Sequence, residues 1–112
     1  MMLIWALRLW FLLVLITQTT VVIWACLQES LFQIPAQVTG DPWFIATMYD
    51  TYFAFFVFYW WVCYRESSWL SRILWFLLIM GLGNVAMAAY MVILLFRLPA
   101  NASAKDVLLK RR

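Results

Sequence analysis

The sequence has no histidine, and only 12% of its 112 residues are charged. The missing imidazole removes the commonest general base at neutral pH and the commonest metal ligand. The five acids are scattered and form no carboxylate pair or metal-ligating cluster. Cysteine is equally scarce, with Cys26 and Cys63 the two copies. They end two apolar runs on opposite faces of a layer about 30 Å thick, far outside disulfide reach. With three glycines in the chain, the one glycine motif, GLGN at 81–84, lacks the further glycine and the Lys-Ser/Thr of a phosphate-cradling loop. No nucleotide site is expected. Nor does the net charge of +3 come with a recognisable nucleic-acid-binding fold.

What the chain does have is apolar surface. Hydrophobic residues make up 68% of it and the mean hydropathy is +0.91, well beyond an ordinary soluble domain. This composition predicts a membrane chain. Its length leaves room for one domain and a few spans, with none for an additional soluble catalytic domain.

Three apolar runs, Leu3 to Cys26, Trp43 to Tyr64 and Ile73 to Phe96, each exceed the roughly 20 helical residues that cross a bilayer. The expected fold is therefore all-α, an integral membrane bundle of three transmembrane helices at about 3–26, 43–64 and 69–97. They form a single membrane domain over 1–98, followed by a short basic tail, 99–112. Asp41-Pro42 offers an N-cap and a proline at the first helical position, where its missing N–H costs nothing. Ser67 or Ser68 can cap the third helix, and Pro99 must end it. Indole rings prefer the lipid–water boundary. Trp5, Trp60, Trp61, Trp69 and Trp75 fall near one face under this layout, and Trp24 and Trp43 near the other.

Orientation is less determined. Three continuous spans put Arg8, Arg65 and Arg72 on one side and Arg97, Lys105, Lys110, Arg111 and Arg112 on the other, so the bias that places basic loops inside is almost balanced. The first helix, preceded by Arg8 and followed by Glu29 and Asp41, favours the N-terminus inside; the tail favours the reverse. Insertion in both directions stays open. A cleaved leader is disfavoured, because the first apolar run exceeds the usual core of about 7–15 residues and Trp24 is too bulky for a cleavage site.

One acid, Asp50, heads the aromatic run MYDTYFAFFVFYWWVCYRESSW, 48–69. An ionisable side chain inside a span is a functional candidate by default. Gln18 on the first helix and Asn84 on the third fall at similar depth, with Tyr52 and Tyr90 at the edge. Small residues beside Asn84, Gly81 and Ala88, allow close helix approach. These five residues are the candidate ligand or proton-linked set. With no base in reach, desolvation favours the neutral carboxyl, and Asp50 is expected to serve as a hydrogen-bond donor. Arg65, Glu66 and Arg72 form a candidate interfacial link, placed where lipid phosphates lie.

The run YDTYFAFFVFYWWVCYRESSW, then Trp75, Gly83-Asn84 and Tyr90, resembles the family of small membrane proteins known as domain of unknown function 1475. The resemblance covers most of the chain from Trp43 to Leu98. It implies membrane location and a three-helix layout, and it assigns no activity.

The leading expectation is a multi-pass protein of the cell membrane, a structural or accessory subunit secured by a buried polar cluster. Its partners are the lipid bilayer and a second copy or another membrane protein, with no nucleic acid. A proton-linked small carrier working as an oligomer is the alternative. A lipid- or isoprenoid-acting enzyme needs more polar groups than the sequence offers. No catalytic residue, metal or cofactor is expected.

Overall fold

The computed structural model describes residues 2–30 and 33–109. Among the described residues all regular structure is helical: α1 Met2–Gln28, α2 Ala36–Thr39, α3 Pro42–Arg65, α4 Trp69–Leu82, α5 Asn84–Arg97 and α6 Ala104–Leu108. At 1.5 Å per residue, α1 with 27 residues is about 40 Å long and α3 with 24 about 36 Å.

Local chemistry sets the boundaries. The Asp41 carboxylate accepts from the Trp43 N–H at 2.9 Å, and Pro42 opens α3 behind that cap. Ser68, the nearer of the two serines, caps α4 by accepting from the Ser71 N–H at 3.5 Å. The C-terminal segment folds too. A reciprocal pair, Ser103 N–H to Asp106 and Asp106 N–H to Ser103, starts α6, and Val107 is buried beneath it.

The single third helix expected over 69–97 is two helices. Gly83 stands at φ 59°, ψ −123°, a conformation that a residue with a Cβ rarely adopts. Its N–H closes the last turn of α4 on the Ile79 carbonyl at 2.8 Å, and its own carbonyl accepts the Met87 N–H at 3.0 Å to begin α5. The chain reverses there. The Trp75 and Tyr90 rings, on either side of the turn, meet edge to face with centroids 4.9 Å apart, and Ser71 and Arg97 line one cavity. Each arm has 14 residues, about 21 Å of helix, short of a hydrocarbon core about 30 Å thick.

Packing runs in the order α1, α5, α4, α3. The hairpin thus separates the two long helices along half their length and ends there. Phe55 of α3 lies against its tip, so close that a Cβ on Gly83 would sit 2.7 Å from the far end of the Phe55 ring. The buried residues, including Ile4, Val62, Ile79, Tyr90 and Leu95, all belong to the hairpin's half of the molecule. Beyond the tip, residues 21–28 of α1 are exposed all round. The structure has one well-packed end and one open end.

The reversal also corrects the expected distribution of charge. It returns residues 98–109 to the end that holds the start of α1 and the α3–α4 link. Arg8, Arg65, Arg72, Arg97 and Lys105, every described base, gather at this packed end, while the α1–α3 link carries Glu29 and Asp41. Lys110, Arg111 and Arg112 lie outside the described residues.

Candidate functional site

The packed end is built on guanidinium groups that close helix C-termini, where the last carbonyls of a helix have no partner of their own. Arg8, 7% exposed, donates to the Leu95 carbonyl from Nε and Nη2 at 3.1 and 3.0 Å, and to Leu98 from Nη2 at 2.8 Å. Its guanidinium lies 4.7 Å from the Trp5 ring centroid and 4.8 Å from that of Phe96, both within cation–π range. Arg72 closes α3, reaching Cys63 O at 3.1 Å and Glu66 O at 2.7 Å. Arg65 does the same for α6, donating to the carbonyls of Val107 and, at 2.8 Å, Leu109. Trp61 adds an indole N–H to Leu108 O at 2.9 Å. One cation serves the end of each of three helices, and its charge opposes their dipoles.

Within this frame sits Glu66. One carboxylate oxygen accepts from the Ser71 hydroxyl, and the other from the Tyr90 hydroxyl at 3.1 Å. Tyr90 is buried and holds three further rings edge-on: Phe58 at 6.0 Å, Trp61 at 5.9 Å and Trp75 at 4.9 Å. Glu66, Ser71, Trp75 and Tyr90, with Ile93, Leu94 and Arg97, line a cavity of about 180 Å³.

The residues expected to form one polar cluster divide. Gln18 and Asn84 come together, lining a cavity of about 300 Å³ beside the hairpin tip with Thr17, Trp10, Leu13 and Val14. Asp50 does not join them and is exposed on α3. Five residues at 100° each set it about 140° around the helix from Phe55, which faces the hairpin. The hairpin stands where a direct α1–α3 contact was expected. Thr20 and Thr47 bond within their own helices: Thr20 donates to Ile16 O at 2.7 Å and Thr47 to Trp43 O at 2.8 Å. Tyr52 reaches the Met80 carbonyl at 3.5 Å. Tyr90 lies far from the tip, on Glu66.

Arg8, Ser71, Trp75 and Arg97 were not among the candidates. The available signal was an arginine within the first apolar run, since a buried cation in such a segment needs several acceptors and a helix end supplies them. Among the described residues no histidine, cysteine or acid cluster is suited to a metal. A third cavity, about 330 Å³, lies between the far half of α1 and the hairpin tip, lined largely by apolar side chains together with Glu29 and Ser30.

No curated protein and no solved structure matches the chain. The family model described as "Protein of unknown function (DUF1475)" matches residues 2–112, and the chain belongs to that family.

Proposed function

We infer that this chain is a membrane-embedded structural or accessory protein of the cell membrane, in which α1 and α3 cross the bilayer and the α4–α5 hairpin enters from the basic side and returns. The observation that carries this reading is the apolar exterior beyond the hairpin. Ile23, Trp24, Leu27, Trp43 and Phe53 are 55, 61, 80, 81 and 64% exposed, and exposed apolar surface of that kind belongs in lipid or against a partner. Met2–Gln28 is the one described helix that meets the length and hydropathy expected of a span. In α3 the phenol and indole rings lower the hydropathy, yet such rings suit the membrane boundary. A third full crossing is replaced by the hairpin, whose arms are too short for one.

The role follows from the asymmetry. The packed end holds its own geometry, and the open end offers Asp50, Ala46 and Ala54 on one outward stripe of α3 at four-residue spacing. A carboxyl there costs about 2.5–3.5 kcal/mol if it faces lipid alone, so a neighbouring helix that hydrogen-bonds it stabilises the assembly. The test is extraction at alkaline pH together with a photocrosslinker placed at Val57. Retention in the membrane with a discrete crosslinked protein supports an accessory role; release from the membrane, or crosslinks to lipid alone, overturns it.

A carrier reading draws on a different observation, the cavity that Gln18 and Asn84 both line at the interrupted tip, since transporters place binding groups at breaks in their helices. Asp50→Asn distinguishes the two. It keeps the hydrogen bond but cannot release a proton, so an accessory protein assembles and works normally with it, whereas a proton-linked carrier stops.

A further inference from the structure

Arg8, Arg65 and Arg72 are all engaged by helix carbonyls, and Arg97 alone among the described arginines makes no hydrogen bond or ion pair with a described residue. Glu66 is its counterpart. The carboxylate is half-buried, and its two hydrogen bonds come from neutral hydroxyls, with no base at ion-pair distance among the described residues. A carboxylate offers about four acceptor positions, so about two remain. Both charged groups line the same cavity of about 180 Å³, space for about six waters at roughly 30 Å³ each.

We propose that this cavity binds the headgroup of an aminophospholipid, phosphatidylethanolamine, with the ammonium on Glu66 and the phosphate on Arg97. An ammonium supplies the N–H donors that the open carboxylate positions accept, and Trp75 and Tyr90, aromatic rings of the type that holds cations on their faces, line the same cavity. A guanidinium at the rim matches a phosphate. Ile93 and Leu94 complete the wall, giving the first carbons of the lipid an apolar surface. The assignment rests on the membrane reading above, because it places the cavity at the basic, interfacial end of the bundle.

The full-length protein in detergent is titrated with short-chain phosphatidylethanolamine, phosphatidylcholine and phosphatidylglycerol, reading retained lipid by native mass spectrometry. Ethanolamine lipid is expected to bind at least tenfold more tightly than the other two, because choline has no N–H to donate and glycerol has no charge. Glu66→Gln is expected to erase the preference for ethanolamine over choline. Arg97→Gln, at an exposed position, is expected to weaken both. Equal binding of all three lipids, or a preference that survives both substitutions, overturns the proposal. Soluble phosphoethanolamine is the last arm, and binding as tight as the lipid's overturns the lipid assignment. A protein that stays in alkali-washed membranes but shows no preference loses the headgroup site alone; one that washes off loses the membrane reading as well.

Discussion

Arg8 and Leu95 stand 87 positions apart in the chain and are joined by two hydrogen bonds, from Nε and Nη2 of one guanidinium to one carbonyl, at 3.1 and 3.0 Å. The same group reaches Leu98, so the start of α1 and the end of α5 are held by a planar donor set that spans them. Arg8→Met removes donors from buried carbonyls, and hydrogen bonds to charged groups are worth about 1.5–3 kcal/mol each. The expected result is a loss of several degrees in detergent thermal unfolding. Arg8→Lys is expected to recover little, because a single ammonium cannot serve both carbonyls with fork geometry. Full recovery by lysine would show that charge alone matters here.

Gly83→Ala is expected to destabilise the protein strongly. The backbone conformation alone costs about 1–3 kcal/mol with a Cβ, and the added methyl meets the Phe55 ring. Gly81→Ala is the control, since nothing lies within 4 Å of a Cβ there, and replacing a helical glycine by alanine is worth about 1 kcal/mol in its favour. Comparable melting of the two variants would mean that α4 and α5 run on as one helix.

Both chain ends and the α3–α4 link are expected on the cytoplasmic side, because every described base lies at that end and the opposite link carries acids. Fusion reporters at the two termini should give the same answer. An impermeant maleimide added outside should label Cys26, which is exposed near the end of α1, in a Cys63→Ser background. Opposite reporter signals at the two ends would restore a third crossing. Labelling of about half the molecules would indicate insertion in both directions.

Tyr59 donates to the Arg72 carbonyl at 2.9 Å, bracing α3 against α4 near the link. Tyr59→Phe removes that bond and keeps the ring on Phe76, 5.2 Å away. A loss of about 1 kcal/mol is expected, the net worth of one neutral hydrogen bond. Chemical denaturation in mixed micelles measures it, and a loss several times larger would assign the hydroxyl a further partner.

Much of this architecture is local chemistry and can be read locally. Asp41 before Pro42, Ser68 before the third apolar run and Pro99 after it each act within a few residues, and helix ends follow from them. The reversal at Gly83 is different in kind. Nothing in GLGN forbids a helix outright, and the apolar run around it is as long as a span. Two 14-residue arms are preferred because Tyr90 can then meet Glu66 and Arg8 can then reach Leu95, contacts that exist only once distant segments are assembled. Asp50 lies apart from the cavity lined by Gln18 and Asn84 for the same reason. Depth along a helix can be counted from sequence, and Gln18 and Asn84, at similar depth, line one cavity. The angle at which Asp50 leaves α3 depends on which neighbour that helix packs against, and the neighbour is the hairpin.

The half-depth of that hairpin has a mechanical consequence. Guanidinium caps and interlocked rings clamp α1 and α3 at the base, whereas above the tip they are joined by a link and divided by whatever enters between them. In the membrane placement proposed above, their splay is expected to follow the thickness and lateral pressure of the surrounding layer without disturbing the base. In that placement, strain in the layer is expected to be felt first between Trp24 and Trp43 and last at Arg8.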